Sequence, residues 1–89
     1  MQVIMLTTDY CQKCAMMKRI LGDRVQVERV EDRPDLVAHT AYQELPLFFV
    51  VVDGTDVGSF AGMMPLSAFE AKMETYRGVY GDKQALVGS

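Results

Sequence analysis

The chain has no long hydrophobic run. Its longest, Leu45 to Val52, falls far short of the roughly 18 to 20 residues that a membrane-crossing helix needs. It has no excess of positive charge either: nine basic residues against twelve acidic ones leave a net charge of -3. That balance excludes the basic footprint of a nucleic-acid binder or of a protein held on an anionic membrane. The amino terminus lacks the basic opening and small-residue cleavage site of a signal peptide, so a cytoplasmic location is expected. No internal repeat, low-complexity tract or linker interrupts the chain, and 89 residues are too few for a multidomain or solenoid architecture. Cysteine and histidine are scarce, with two of the first and one of the second. Two cysteines do not make a disulfide framework, and a structural zinc site normally takes four ligands.

What remains is the composition of one small packed domain, 49% apolar and 24% charged with four phenylalanines and four tyrosines. Gln2 to Leu6 is a short apolar run that reads as a strand. Helix formers follow the cysteines and end at Gly22, which predicts a helix over about residues 12 to 21 with Cys11 at its N-terminus. Val25 and Val27 alternate with polar residues as in a half-buried strand ending near Val30. Pro34 then opens a short helix through Leu36, Val37, Ala38 and Ala41, with His39 half exposed on it. Leu47 to Val52 is apolar throughout, as in a strand buried on both faces at the centre of a sheet. Asp53-Gly54 signals a hairpin returning through Val57 to Phe60. Ser67-Ala68-Phe69-Glu70 fits a capping box, and Leu66, Phe69, Met73 and Tyr76 recur at helical spacing. The order is β-α-β-α-β-β-α, an α/β domain over residues 1–76 followed by a glycine-containing tail, 77–89, expected to be mobile.

The two cysteines stand three apart as Cys11-Gln12-Lys13-Cys14, after a strand and at the start of a helix. A loop this short staples a fold poorly, so the pair calls for a chemical explanation. The thiolate is the form that attacks a disulfide, and the unpaired N–H groups at a helix N-terminus favour it. Cys11 has that position, while Cys14 lies about one turn deeper, which makes an exposed nucleophile and a shielded resolver. Lys13, with Lys18 and Arg19, favours the thiolate; Asp9 opposes it. Tyr10 either offers partners a flat apolar surface or packs over the helix start. The rival reading of the pair is a metal knuckle, but only His39 is at hand to extend it and no second pair exists, so no metal is expected. Met5, Met17 and Met73 fall at core-like positions, leaving Met63 and Met64 as candidate surface contacts.

Over residues 2 to 76 the chain resembles the thioredoxin-fold superfamily and, within it, the glutaredoxin-like proteins of the NrdH-redoxin type. Three segments carry the resemblance: Thr7 to Lys18 around the dithiol; Glu44-Leu45-Pro46, similar to a loop with a cis-proline opposite the active site; and Ser59 to Pro65, similar to the family's Ser-Trp-Ser-Gly-Phe-Arg-Pro. Phe60 stands where that segment has tryptophan, Met64 where it has arginine and Leu66 where an aspartate is common. The resemblance implies a thioredoxin-like (glutaredoxin-type) fold, a four-stranded mixed sheet flanked by three helices. It implies a monomeric dithiol-disulfide oxidoreductase with no bound cofactor beyond a redox-active Cys11–Cys14 disulfide. Such a protein is reduced by thioredoxin reductase and passes electrons to a protein disulfide, that of a ribonucleotide reductase above all. Cys11 and Cys14 are then catalytic, and Tyr10, Gln12, Lys13, Leu45, Pro46, Ser59, Phe60, Gly62 and Met63 are the candidate partner contacts. The cis bond implied at Pro46 leaves the backbone of Leu45 free to pair with an incoming strand. Two alternatives stand beside this reading: a glutaredoxin that takes its electrons from glutathione, although Gly58 to Gly62 has no acidic residue to hold the glutathione amino group, and a non-catalytic or metal-binding adaptor of the same fold.

Overall fold

A computed structural model describes residues 1–81. Four strands, β1 (Gln2–Thr7), β2 (Gln26–Arg29), β3 (Leu47–Val52) and β4 (Thr55–Ala61), form one sheet in the order β2-β1-β3-β4. The helices are α1 (Gln12–Leu21), α2 (Pro34–Val37) and α3 (Leu66–Tyr76). β1 runs parallel to β2, and β3 is antiparallel to both β1 and β4, so the sheet is mixed. The expected β-α-β-α-β-β-α order and four-stranded mixed sheet are what the chain forms.

Successive strand residues face opposite sides, and β1 and β3 are apolar on both. Val3, Met5, Phe48 and Val50 point to one layer, where Met17 and Leu21 of α1 and Phe69 and Met73 of α3 cover them. Ile4, Leu6, Leu47 and Phe49 point to the other, where Leu36 of α2 joins them. The continuous apolar run of β3 therefore sits inside the sheet with both faces buried, as its composition requires. Asp53 (φ 52°) and Gly54 (φ 80°) make the hairpin turn, and a bulge follows where Val50 pairs with Gly58 but Val51 with Asp56.

Four expectations are amended. α2 is a single turn ending at Val37 and does not reach Ala41, because only Leu36 finds a buried place. Tertiary hydrogen bonds draw the next residues away: the Thr40 hydroxyl accepts from Ser59 Oγ (3.1 Å), and the His39 ring, in the turn beyond the helix, meets the Asp56 carboxylate (3.1 Å). Val27 is 39% exposed, because β2 is an edge strand carrying ion pairs in place of apolar cover. The capping box is not used: α3 starts at Leu66 with Pro65 before it, and the Glu70 carboxylate pairs with Arg24 (3.2 Å). Beyond Tyr76 the chain continues as a π-helical turn, Arg77–Gly81, where a tail was expected from residue 77; Gly78 takes no left-handed conformation there to end the helix. The rest of that tail, 82–89, lies outside the described residues. Among the described residues no helix is long and apolar enough to cross a membrane.

Candidate active site

Strand register decides which loops meet. Leu47 at the start of β3 pairs with Leu6 near the end of β1 and with Ala61 at the end of β4. The loop from β1 into α1, the loop ending in Pro46 and the loop from β4 into α3 therefore converge at one end of the sheet. Cys11, Leu45-Pro46 and Gly62-Met63 belong to these three loops.

Cys11 is the N-cap of α1, in extended conformation, and it is bonded to Cys14 as a disulfide. Its sulfur accepts the backbone N–H of Cys14 at 3.2 Å, and its carbonyl accepts the N–H of Ala15 at 3.1 Å. One otherwise unpaired donor of the first turn, the Cys14 N–H, is thus directed at that sulfur, an arrangement that favours negative charge there. Cys11 is half-buried whereas Cys14 is 2% exposed beneath it, next to the apolar face that Met17 and Leu21 continue. The expected asymmetry is present.

The charges around the pair are arranged differently from their order in the chain. Asp9 is held by Arg29 at the end of β2 (2.8 Å), a guanidinium that also binds Glu31 (3.1 Å). Those contacts hold the Glu31 carboxyl below its usual range and the Arg29 guanidinium above its own. Lys18 and Arg19 lie in the last turn of α1, roughly 10 Å along the axis from Cys11 at ~1.5 Å per residue. There they complement the C-terminal end of the dipole, and Lys13 is the one α1 cation in the first turn. Arg29 is a site-shaping residue that sequence reading missed. Its signal was a parallel register placing it beside Thr7, which no local pattern discloses.

The peptide between Leu45 and Pro46 is cis. Pro46 is buried, Leu45 is half-buried, and the Pro46 carbonyl accepts the N–H of Gly62 at 2.9 Å, tying two of the three loops together. Gly62 has φ 99°, open to glycine alone without strain, and a Cβ there would lie 2.7 Å from Glu44 Oε1. Met63 (49% exposed) and Tyr10 stand at the surface of this end, and Gln12 and Lys13 are exposed on the first turn of α1. Tyr10 takes a left-handed φ of 64° and makes its ring wholly solvent-exposed, which answers between its two readings: it does not pack over the helix. Phe60 and Ser59 are placed otherwise. Phe60 is buried against Phe48 (ring centroids 4.9 Å) and Phe69 (6.1 Å), and Ser59 donates to Thr40 on the opposite face of the sheet. Met64 is partly buried against the core. Among the described residues no three His, Cys, Asp or Glu side chains converge as a metal site would require.

Sheet order, helix placement and a Cys-Gln-Lys-Cys disulfide at the start of α1 define a thioredoxin-fold protein. Solved structures agree on the fold. A mutant thioredoxin from Halobacterium salinarum matches with a TM-score of 0.63 at 18% identity, over 83% of this chain and 72% of that one. Thioredoxin 1 from the thermophilic eubacterium Thermosipho africanus matches with a TM-score of 0.60 at 19% identity, over 89% and 97%. A structure described as a malarial protein gives 0.54 at 17% identity, over 82% and 92%. No protein-family model matches the sequence, and no curated protein does.

Proposed function

We propose that the protein is a thiol–disulfide oxidoreductase of the NrdH-redoxin type: a small dithiol carrier that reduces a protein disulfide, that of a ribonucleotide reductase first among them, and is itself reduced by thioredoxin reductase. The observation that supports the dithiol chemistry is the unequal burial of Cys11 and Cys14 at the N-terminus of α1, and the NrdH type rests on the resemblance of the three sequence segments. Reduction of the Cys11–Cys14 disulfide supplies two electrons and two protons. The Cys14 N–H and Lys13 then favour the Cys11 thiolate, and the Arg29 guanidinium offsets the opposing charge of Asp9. The Cys11 thiolate attacks one sulfur of the partner disulfide; that S–S bond breaks, a mixed disulfide forms, and one partner thiolate leaves and takes up a proton. Cys14, one turn away, gives up its proton and attacks the Cys11 sulfur. The mixed disulfide breaks, the second partner thiolate leaves, and the Cys11–Cys14 disulfide is restored. Tyr10, Gln12, Lys13, Leu45 and Met63 form the surface that meets the partner, with Pro46 and Gly62 holding the loops in place beneath it.

Protein reductants are preferred over glutathione in this reading because the β4–α3 turn from Ala61 to Pro65 carries no charged residue, while the Glu44 carboxylate at Gly62 would face a peptide that itself bears two carboxylates. The test follows NADPH oxidation with a disulfide substrate, supplying either thioredoxin reductase or glutathione with glutathione reductase. Turnover with the first is expected. Turnover only with the second makes the protein a glutaredoxin, and turnover with neither makes it an adaptor.

A further inference from the structure

Along the outer edge of β4 runs a groove of about 290 Å³ lined by Tyr42, Ser59, Phe60, Lys72, Thr75 and Tyr76. It includes neither cysteine. Ser59 and Phe60 are adjacent on an edge strand and face opposite sides of the sheet, so the groove straddles the edge. The segment before β3 brings Tyr42 to one side, and α3 brings Lys72, Thr75 and Tyr76 to the other. The volume is at the lower limit of the ~300–1,000 Å³ of small-molecule sites.

Three hydrogen-bond donors in this groove are left unspent. Ser59 spends its hydroxyl hydrogen on Thr40, and Thr75 spends its own on the Ala71 carbonyl. The Lys72 ammonium lies 5.2 Å from the centroid of the Phe60 ring and, among the described residues, enters no ion pair. The Tyr42 and Tyr76 hydroxyls have no hydrogen-bond partner among those residues. One ammonium and two phenols are donors, and they call for acceptor oxygens carrying negative charge. The walls are aromatic and call for a flat apolar body. Burial holds the Tyr76 phenol above its usual range, so it remains a neutral donor. Gly58 is part of the construction: the Tyr76 hydroxyl occupies the space that any side chain at that position would need.

We propose that this groove binds a small carboxylic acid with a planar aromatic body, its carboxylate on the Lys72 ammonium and its ring against Tyr42, Phe60 and Tyr76. A cationic ligand would meet Lys72 as a like charge, and a neutral one would leave the ammonium without a counter-charge. The site stands apart from the dithiol and does not depend on the redox reading. Through Tyr42 it touches the segment that leads to Leu45 and Pro46.

The probes are phenylacetate, phenethyl alcohol and phenethylamine, titrated into the full chain with amide chemical shifts recorded by NMR. The chain contains four tyrosines and no tryptophan, so tyrosine emission gives a second readout. Phenylacetate should bind saturably, shifting the amides of Tyr42, Ser59, Phe60 and Lys72 to Tyr76, with the alcohol and the amine at least about tenfold weaker, the size of one charge-assisted hydrogen bond. Lys72→Gln, at an exposed position, should bring phenylacetate down to the level of the alcohol while the amide spectrum away from the groove stays that of the folded parent. Equal binding of the three probes, unchanged affinity in Lys72→Gln, shifts centred elsewhere, or no saturation with phenylacetate would each overturn the proposal.

Discussion

Cys14 donates its backbone N–H to the sulfur of Cys11 across 3.2 Å while its own sulfur is packed away from solvent. One residue thus supplies both the donor to the outer sulfur and, in the proposed cycle, the second thiol that discharges it. The first turn of a helix brings the two together without any distant part of the chain, because residues three apart lie on one face.

Replacing Cys14 by Ser should therefore leave Cys11 able to attack and unable to be released. Cys14→Ser is expected to accumulate a one-to-one covalent complex with a disulfide-bearing protein, seen as a mass shift that thiol reductant removes. Cys11→Ser should accumulate none. Trapping by the Cys11 variant would reverse the two roles.

Tyr10 spends a left-handed backbone conformation on a side chain that buries nothing. Relief of that conformation by glycine is worth roughly 1–2 kcal/mol, offset by about 0.5–1 kcal/mol of added chain entropy. Tyr10→Gly should keep or slightly raise the thermal midpoint while raising KM for the protein disulfide several-fold and leaving the rate with a small disulfide unchanged. A lower midpoint would mean that the ring packs on the domain after all.

At Gly62 both the positive φ and the nearby Glu44 carboxylate oppose a side chain. Gly62→Ala should cost on the order of 1–3 kcal/mol in denaturant unfolding and reduce turnover with a protein partner. Adding Glu44→Ala should recover only the steric part, because the backbone strain remains.

Phe60 lies in the aromatic cluster with Phe48 and Phe69. Phe60→Leu is expected to lower stability by about 1–2 kcal/mol. It should leave kcat/KM for the protein disulfide within twofold of the parent. A change in kcat/KM at unchanged stability would return this residue to the docking surface.

Burial raises the Tyr76 phenol above its ordinary value of 10, with Tyr80 and Tyr42 adding to the shift. The unfolded chain therefore loses this proton first as pH climbs. The associated stability is complete below pH 10 and is lost as pH rises through the higher folded value. In an ultraviolet titration of the phenols, Tyr76→Phe should remove a late step; loss of an early step would place the raised group elsewhere.

Much of the domain is legible from neighbouring residues. The apolar run Leu47 to Val52 identifies the central strand, since a strand buried on both faces has no room for polar alternation. Gly22 ends α1 with positive φ, and Asp53-Gly54 turns the hairpin. The capping box at Ser67 was legible too, and misleading, because Arg24 on a distant turn claims Glu70. α2 read too long for the same kind of reason: Thr40 is bonded to Ser59 across the fold.

The sequence by itself determined the order of the elements, the β3–β4 hairpin and the placement of Cys11 at a helix start, since each rests on propensity, periodicity and turn chemistry within a few residues. Only the tertiary structure decided that Arg29 takes Asp9, that Pro46 and Phe60 go inward while Tyr10 goes outward, and that Tyr42, Lys72 and Tyr76 share one groove. Those relations join residues far apart in the chain. They are set by strand register and by the choice of which face each helix covers, and both are settled only when the two apolar layers are buried together.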